Sequence, residues 1–171
     1  DDLRDFAYRL GIELFESRRR EGIISPLVSF VFDEADEFIP QQLERDSSYA
    51  RSAWIAEMLA RRGRKFGIGL AIVSQRPARV EKNVLSQCNT QVILKTTNPH
   101  DVKAIVSSVE GLTTGAVDEI QRLPIGMAVV SGLPIHAPIF VEIRVRETRH
   151  GGKGAEVVNE KKKSFGFFHM K

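Results

Sequence analysis

Two carboxylates, Asp33 and Glu34, stand side by side in the stretch VSFVFDEADEF, residues 28–38. The run ahead of them is short, apolar and rich in Val and Phe, and reads as a buried strand of a parallel sheet. Open α/β sheets collect their ligands at the carboxyl ends of strands, so an acidic pair there is placed to hold a metal and a water. On that reading Asp33 serves a magnesium ion bridging the terminal phosphates of ATP, and Glu34 polarises the attacking water. The pair by itself equally suits a buried strand with a polar end, in which one carboxylate caps the next helix.

A second apolar run, residues 70–74, ends in Ser74, Gln75, Arg76 and Pro77. If this strand neighbours the first, the Gln75 amide reaches the γ-phosphate or its attacking water and senses the state of the nucleotide. Pro77 prevents the strand from continuing in a central ladder. Ahead of it Arg61, Arg62, Arg64 and Lys65 crowd around Gly63. Cations at a helix C-terminus followed by a glycine stop explain part of that cluster, and four in five residues exceed what a stop requires.

The elements that must position these residues follow from periodicity. Residues 2–20 carry Leu3, Phe6, Leu10, Ile12, Leu14 and Phe15 at near-helical spacing, closed by Arg18, Arg19 and Arg20 against the negative end of the helix dipole. A polar loop over 41–52 passes into a helix reaching about residue 66, with Trp54 expected in the core. Beyond Pro77 we expect a helix over 80–88 and a strand over 90–95. A helix over 99–108, opening after Asn98 as N-cap, and another over 113–123 come next. Strands over 126–131 and 139–145 follow, separated by the turn signal Gly132-Leu133-Pro134. Repeated strand and helix predict an α/β fold, a mostly parallel sheet flanked by helices.

At 171 residues, 42% hydrophobic and 27% charged, the chain has the balance of one ordinary globular domain. No apolar run approaches the roughly 18 residues of a membrane span, no secretory signal opens the chain, and the single cysteine, Cys88, excludes an intrachain disulfide framework. A cytoplasmic protein is expected. From Arg144 onward there are 8 Lys/Arg against 3 Asp/Glu, leaving 17 of 25 against 19 of 22 before it, so the excess positive charge lies in the tail. We therefore divide the chain into a domain over 1–146 and a basic arm over 147–171. The arm ends in Lys161, Lys162 and Lys163 with Phe165, Phe167 and Phe168. His100, His136, His150 and His169 show no metal spacing.

The chain holds no G-x-x-x-x-G-K-[ST] loop to cradle the β/γ-phosphates. A phosphate-binding half is thus expected elsewhere in a longer ATPase. At this point a family resemblance becomes specific. VSFVFDEADEF, ARRGRKFGIGLAIVSQRP, QVILKTTNPHD, LPIGMAVVSGLP and VRETRHGG, in this order over residues 29–152, resemble the C-terminal part of the ATPase domain of HerA-type DNA translocases. These belong to the HerA/FtsK group of hexameric P-loop motors. The resemblance implies a RecA-like P-loop ATPase core, a homohexameric ring, ATP-driven movement along double-stranded DNA, and action with a NurA-type nuclease in resecting DNA ends. It implies Asp33 and Glu34 as the Walker B magnesium and catalytic carboxylates, Gln75 as the glutamine sensor, and Arg64 as the first candidate for a finger reaching the neighbour's ATP, with Arg61 and Arg62 as alternatives.

In such a ring the duplex is gripped through its phosphates, and Arg51, Arg79 and Lys82 are the cations we would assign to it. Two other functions remain open from sequence. One is a conjugation or secretion ATPase of the same superfamily. The other, for this piece alone, is an assembly module without activity that docks a nuclease.

Overall fold

A computed structural model describes residues 2–41, 48–109, 111–112, 115–132 and 135–148. Helix α1 (Asp2–Glu21) opens the chain, followed by strand β1 (Val28–Phe32), α2 (Ser48–Arg62) and β2 (Ile68–Ile72). Then come a short α3 (Lys82–Leu85), β3 (Thr90–Ile93), α4 (Pro99–Ser108), α5 (Ala116–Arg122), β4 (Met127–Gly132) and β5 (Ile135–Glu142).

β1 and β2 pair parallel and flush, Val28 opposite Ile68 and Phe32 opposite Ile72, with α2 as the crossover between them. α2 buries Ser52, Ile55, Ala56 and Leu59, one helical stripe. Phe15 of α1 joins Ile55, Leu59 and Ile68 in one cluster, and Phe32, Ala35, Ile39, Ala53, Ala56, Val80 and Val84 form another. Trp54 projects off that stripe. Instead of entering the core it is 50% exposed, tilted against Tyr8 with ring centroids 6.1 Å apart. Arg18 does more than face the helix dipole: it is 7% exposed and donates to the carbonyls of Phe66 (3.3 Å) and Pro26 (2.6 Å), tying α1 to the segments that precede both strands.

The α/β class stands, with its parallel pair and helical layers. The parallel pairing is confined to β1 and β2, whereas β3, β4 and β5 pair antiparallel in that order. Only residues 133–134 separate β4 from β5, and a parallel crossover needs a dozen residues or more. α4 and α5 cover one face of this sheet, burying Val102, Ile105 and Ile120 against Ile93 and Val129. Pro99 opens α4 after Asn98, whose side chain accepts from the His100 amide, as the sequence predicts.

Several bounds differ from expectation. β2 begins and ends two residues early, and the helix expected over 80–88 contracts to α3. Val80 is held in a bridge to Pro40, and the Glu81 carboxylate accepts from the amides of Asn83 and Val84 and so caps the helix one residue later. α5 starts at Ala116, with residues 113–114 outside those described. Of the basic arm only residues 147–148 are described. No helix among the described residues is long and apolar enough to cross a membrane.

Candidate active site

The flush register of β1 and β2 brings both strand ends to one level. Their ladder runs one step further: Val73 donates to the Phe32 carbonyl and accepts from the Ala35 amide, both at 2.9 Å. That second bond draws the chain sharply back after Phe32, and Glu34 takes up the reversal in the left-handed region, φ 49° and ψ 53°. Glu34 is the single non-glycine residue with positive φ among those described. Such a conformation costs roughly 1–3 kcal/mol and concentrates at functional positions. Ala35, fully buried, anchors the turn, and the Asp33 carboxylate accepts from the Glu34 amide at 3.0 Å.

Gln75 meets this turn from the end of β2. Its amide nitrogen donates to Glu34 Oε1 at 2.9 Å across 41 residues of sequence. Below it the Ser74 hydroxyl donates to Asp36 (3.1 Å) and accepts from the Arg76 amide (3.0 Å). Sequence reasoning missed this Ser74–Asp36 bond, although both residues sit inside the motifs it used. Asp33, Glu34 and Gln75 are all exposed at the strand ends.

Four acids lie within residues 33–37. Glu37 is paired with Arg4 at 3.3 Å and Asp36 is held by Ser74, which leaves Asp33 and Glu34 as the exposed carboxylates without a cationic or hydroxyl partner among the described residues. No group of three or more His, Cys, Asp or Glu able to hold a metal occurs among the described residues. One or two carboxylates fit a magnesium ion that keeps waters and phosphate oxygens as its other ligands, and do not fit a resident protein cage.

The arginines are not brought to this site. Arg62 and Arg64 are exposed and without ion pairs among the described residues, and Arg61 pairs with Glu57 at 3.2 Å. Arg64 lies in the 3-10 turn Gly63–Phe66, ahead of β2, whereas Gln75 lies beyond its other end. At about 3.3 Å per residue the strand alone separates them by well over 10 Å. Arg51 belongs to α2 and is paired with Asp5 of α1 at 2.6 Å. Arg79 and Lys82 are exposed, flanking the start of α3, with no side-chain partner among the described residues. Half-buried Cys88 donates to the Val84 carbonyl, its thiol pKa raised by burial.

No family model matches the sequence. Among curated proteins, the probable DNA double-strand break repair helicase HerA of Methanocaldococcus jannaschii is 40% identical over 138 residues, 81% of this chain. The DNA double-strand break repair helicase HerA of Saccharolobus solfataricus is 34% identical over 149 residues, 87% of this chain. Over those residues the chain is HerA-type. It spans 26% and 29% of the lengths of these two relatives. Among solved structures, the genome packaging NTPase B204 of Sulfolobus turreted icosahedral virus 2 superposes in its sulfate complex with a TM-score of 0.53. That alignment, 14% identical, covers 68% of this chain and 54% of B204; the AMPPCP complex of B204 aligns with the same TM-score. At that identity the likeness is one of fold alone, an α/β architecture shared over about two thirds of this chain.

Proposed function

We propose that this HerA-type chain is the C-terminal part of the ATPase domain of a DNA translocase acting in double-strand break repair. The observation that carries the reading is the 2.9 Å hydrogen bond from Gln75 to Glu34, beside Asp33, at the flush ends of two parallel strands. Relatives named as break-repair helicases and a fold neighbour solved with nucleotide analogues support it.

In this reading Asp33 would hold a magnesium ion bound with ATP, which would supply charge neutralisation at the terminal phosphates. Glu34 accepts a hydrogen bond from the water in line with the γ-phosphate and takes up its proton. Gln75 holds one carboxylate oxygen of Glu34, so the other is directed outward to the water. The phosphate-binding loop comes from a further strand. Among the described strands, β1, β2, β3 and β5 each have one unpaired edge at which such a strand could add. Arg64, too far along β2 to serve its own site, acts on a neighbour's ATP in a hexameric ring, with Arg61 and Arg62 beside it. Arg79 and Lys82 hold duplex phosphates; Arg51 joins them if its pair with Asp5 opens. A NurA-type nuclease as partner and a cytoplasmic location complete the proposal.

The test is ATPase activity of the full-length protein, with and without duplex DNA, and of the 171-residue chain alone. Duplex-stimulated hydrolysis by the former and none by the latter is the expected result. Hydrolysis indifferent to DNA would turn the assignment to a secretion-type motor. Activity of the short chain would mean that phosphates bind within it.

A further inference from the structure

The turn that carries Gln75 is fastened from a third direction by a residue with no part in the site described above. Asp101, in the first turn of α4, is 6% exposed, and its carboxylate accepts from the backbone amide of Ala78 at 3.0 Å. Ala78 is the middle residue of the 3-10 turn Pro77–Arg79, three residues beyond Gln75. On the near side, Ser74 is held by Asp36 and itself receives the Arg76 amide. On the far side, the Glu81 amide donates to Ile39 and the Gln41 amide to Arg79. Asp101 is the fastening that comes from the other half of the molecule.

α4 is held in that half by packing and by hydrogen bonds near both of its ends. Its neighbours Val102 and Ile105 pack against Ile93, Ile120 and Val129. Gln91 of β3 donates to the Ser108 carbonyl at its C-terminal end, and Gln121 of α5 donates to Thr97 just before its start. A carboxylate projecting from a helix fixed at both ends defines the height of the Ala78 amide and so the reach of the Gln75 side chain. A buried carboxylate is costly to place, and the nearby N-terminus of α4 offsets part of that cost.

We infer that Asp101 is a positioning residue for Gln75, coupling the placement of α4 and the antiparallel sheet to the Gln75–Glu34 contact. The inference rests on the reading of Gln75 as part of an ATPase site. It is tested by steady-state ATP hydrolysis in the full-length protein carrying Asp101→Ala, Asp101→Asn, Gln75→Ala and the double change Asp101→Ala/Gln75→Ala. Asp101→Ala is expected to lower kcat roughly 10- to 100-fold, the scale of a small misplacement at a reacting centre, with KM for ATP changed less than about threefold. Asp101→Asn keeps an oxygen to accept from Ala78 and is expected to restore most of that loss. In the Gln75→Ala background, Asp101→Ala should lower kcat no further, because residues acting through one contact are not additive. A full additional loss there, or an Asp101→Asn protein as impaired as Asp101→Ala, overturns the role of Asp101 while leaving the site reading intact. A Gln75→Ala protein with the parent rate overturns the reading of Gln75 and the inference together.

Discussion

Glu34 combines a left-handed backbone, φ 49°, with a carboxylate that accepts from Gln75 at 2.9 Å. The conformation follows from its neighbours: Phe32 ends the strand in the core, and Ala35 must return its amide to Val73. An aspartate in front eases the strain by accepting the Glu34 amide. The exchange Glu34→Gln preserves size and leaves an oxygen for Gln75, so local geometry should persist while the capacity to take a proton from water is lost. In the full-length protein we expect nucleotide binding within about threefold of the parent and turnover lower by about 10²-fold or more. Equilibrium binding of a nucleotide together with single-turnover hydrolysis measures both, and normal turnover would remove Glu34 from the mechanism. The identities of these residues were legible in the sequence because each directly follows a short apolar run, a pattern contained in a few neighbouring positions. Their pairing was not, since Gln75 and Glu34 are 41 positions apart.

At the scale of elements, the entry to β2 is closely determined. Gly67 has φ +64°, and a Cβ there would lie 1.9 Å from the Ile24 carbonyl oxygen and 3.1 Å from an Arg18 guanidinium nitrogen. The Gly67 carbonyl in turn receives the Val28 amide at 3.0 Å, which sets β1 opposite β2 from the first residue. Gly67→Ala therefore meets both a disfavoured dihedral and backbone that cannot yield. We expect it to destabilise the protein by at least about 2 kcal/mol, read as a lower urea midpoint for the variant. A midpoint unchanged from the parent would mean that the Ile24 loop moves aside freely. The sequence marked Arg18 as a dipole partner, which is a local role, and left Gly67 without a role of its own. Their joint role depends on α1 lying over the start of both strands, something no window of sequence contains. Trp54 shows the same limit: its size argues for the core, but the stripe of Ser52, Ile55, Ala56 and Leu59 turns it toward Tyr8 and half into solvent.

Across the whole molecule, the carboxylates and Gln75 gather at one end of the parallel pair, and the arginines preceding β2 gather at the other. In a single chain this arrangement leaves Glu34 without a cation from that cluster. In the proposed ring it would allow each subunit to present an arginine to the next. Subunits carrying Arg64→Ala should be inactive alone, by roughly 10³-fold or more if Arg64 is a finger, and should regain activity when mixed with Glu34→Gln subunits, because some interfaces then combine an intact arginine with an intact carboxylate. ATPase assays on a series of mixing ratios measure this; absence of complementation would redirect the role to Arg61 or Arg62.

What the sequence determined by itself was chemistry and local form: an acidic pair closing one apolar strand, an amide closing the next, the Asn98 cap and Pro99 start of α4, and the ordered motifs of a HerA-type chain. These are legible because residue type, period and capping act over a few neighbouring positions. The tertiary structure alone decided that Gln75 faces Glu34, that the later strands pair antiparallel, and that Asp101 reaches back to the Gln75 turn. Each depends on contacts between segments far apart in sequence. Burial is a property of the assembled chain, since the apolar area removed from water depends on partners tens of residues away.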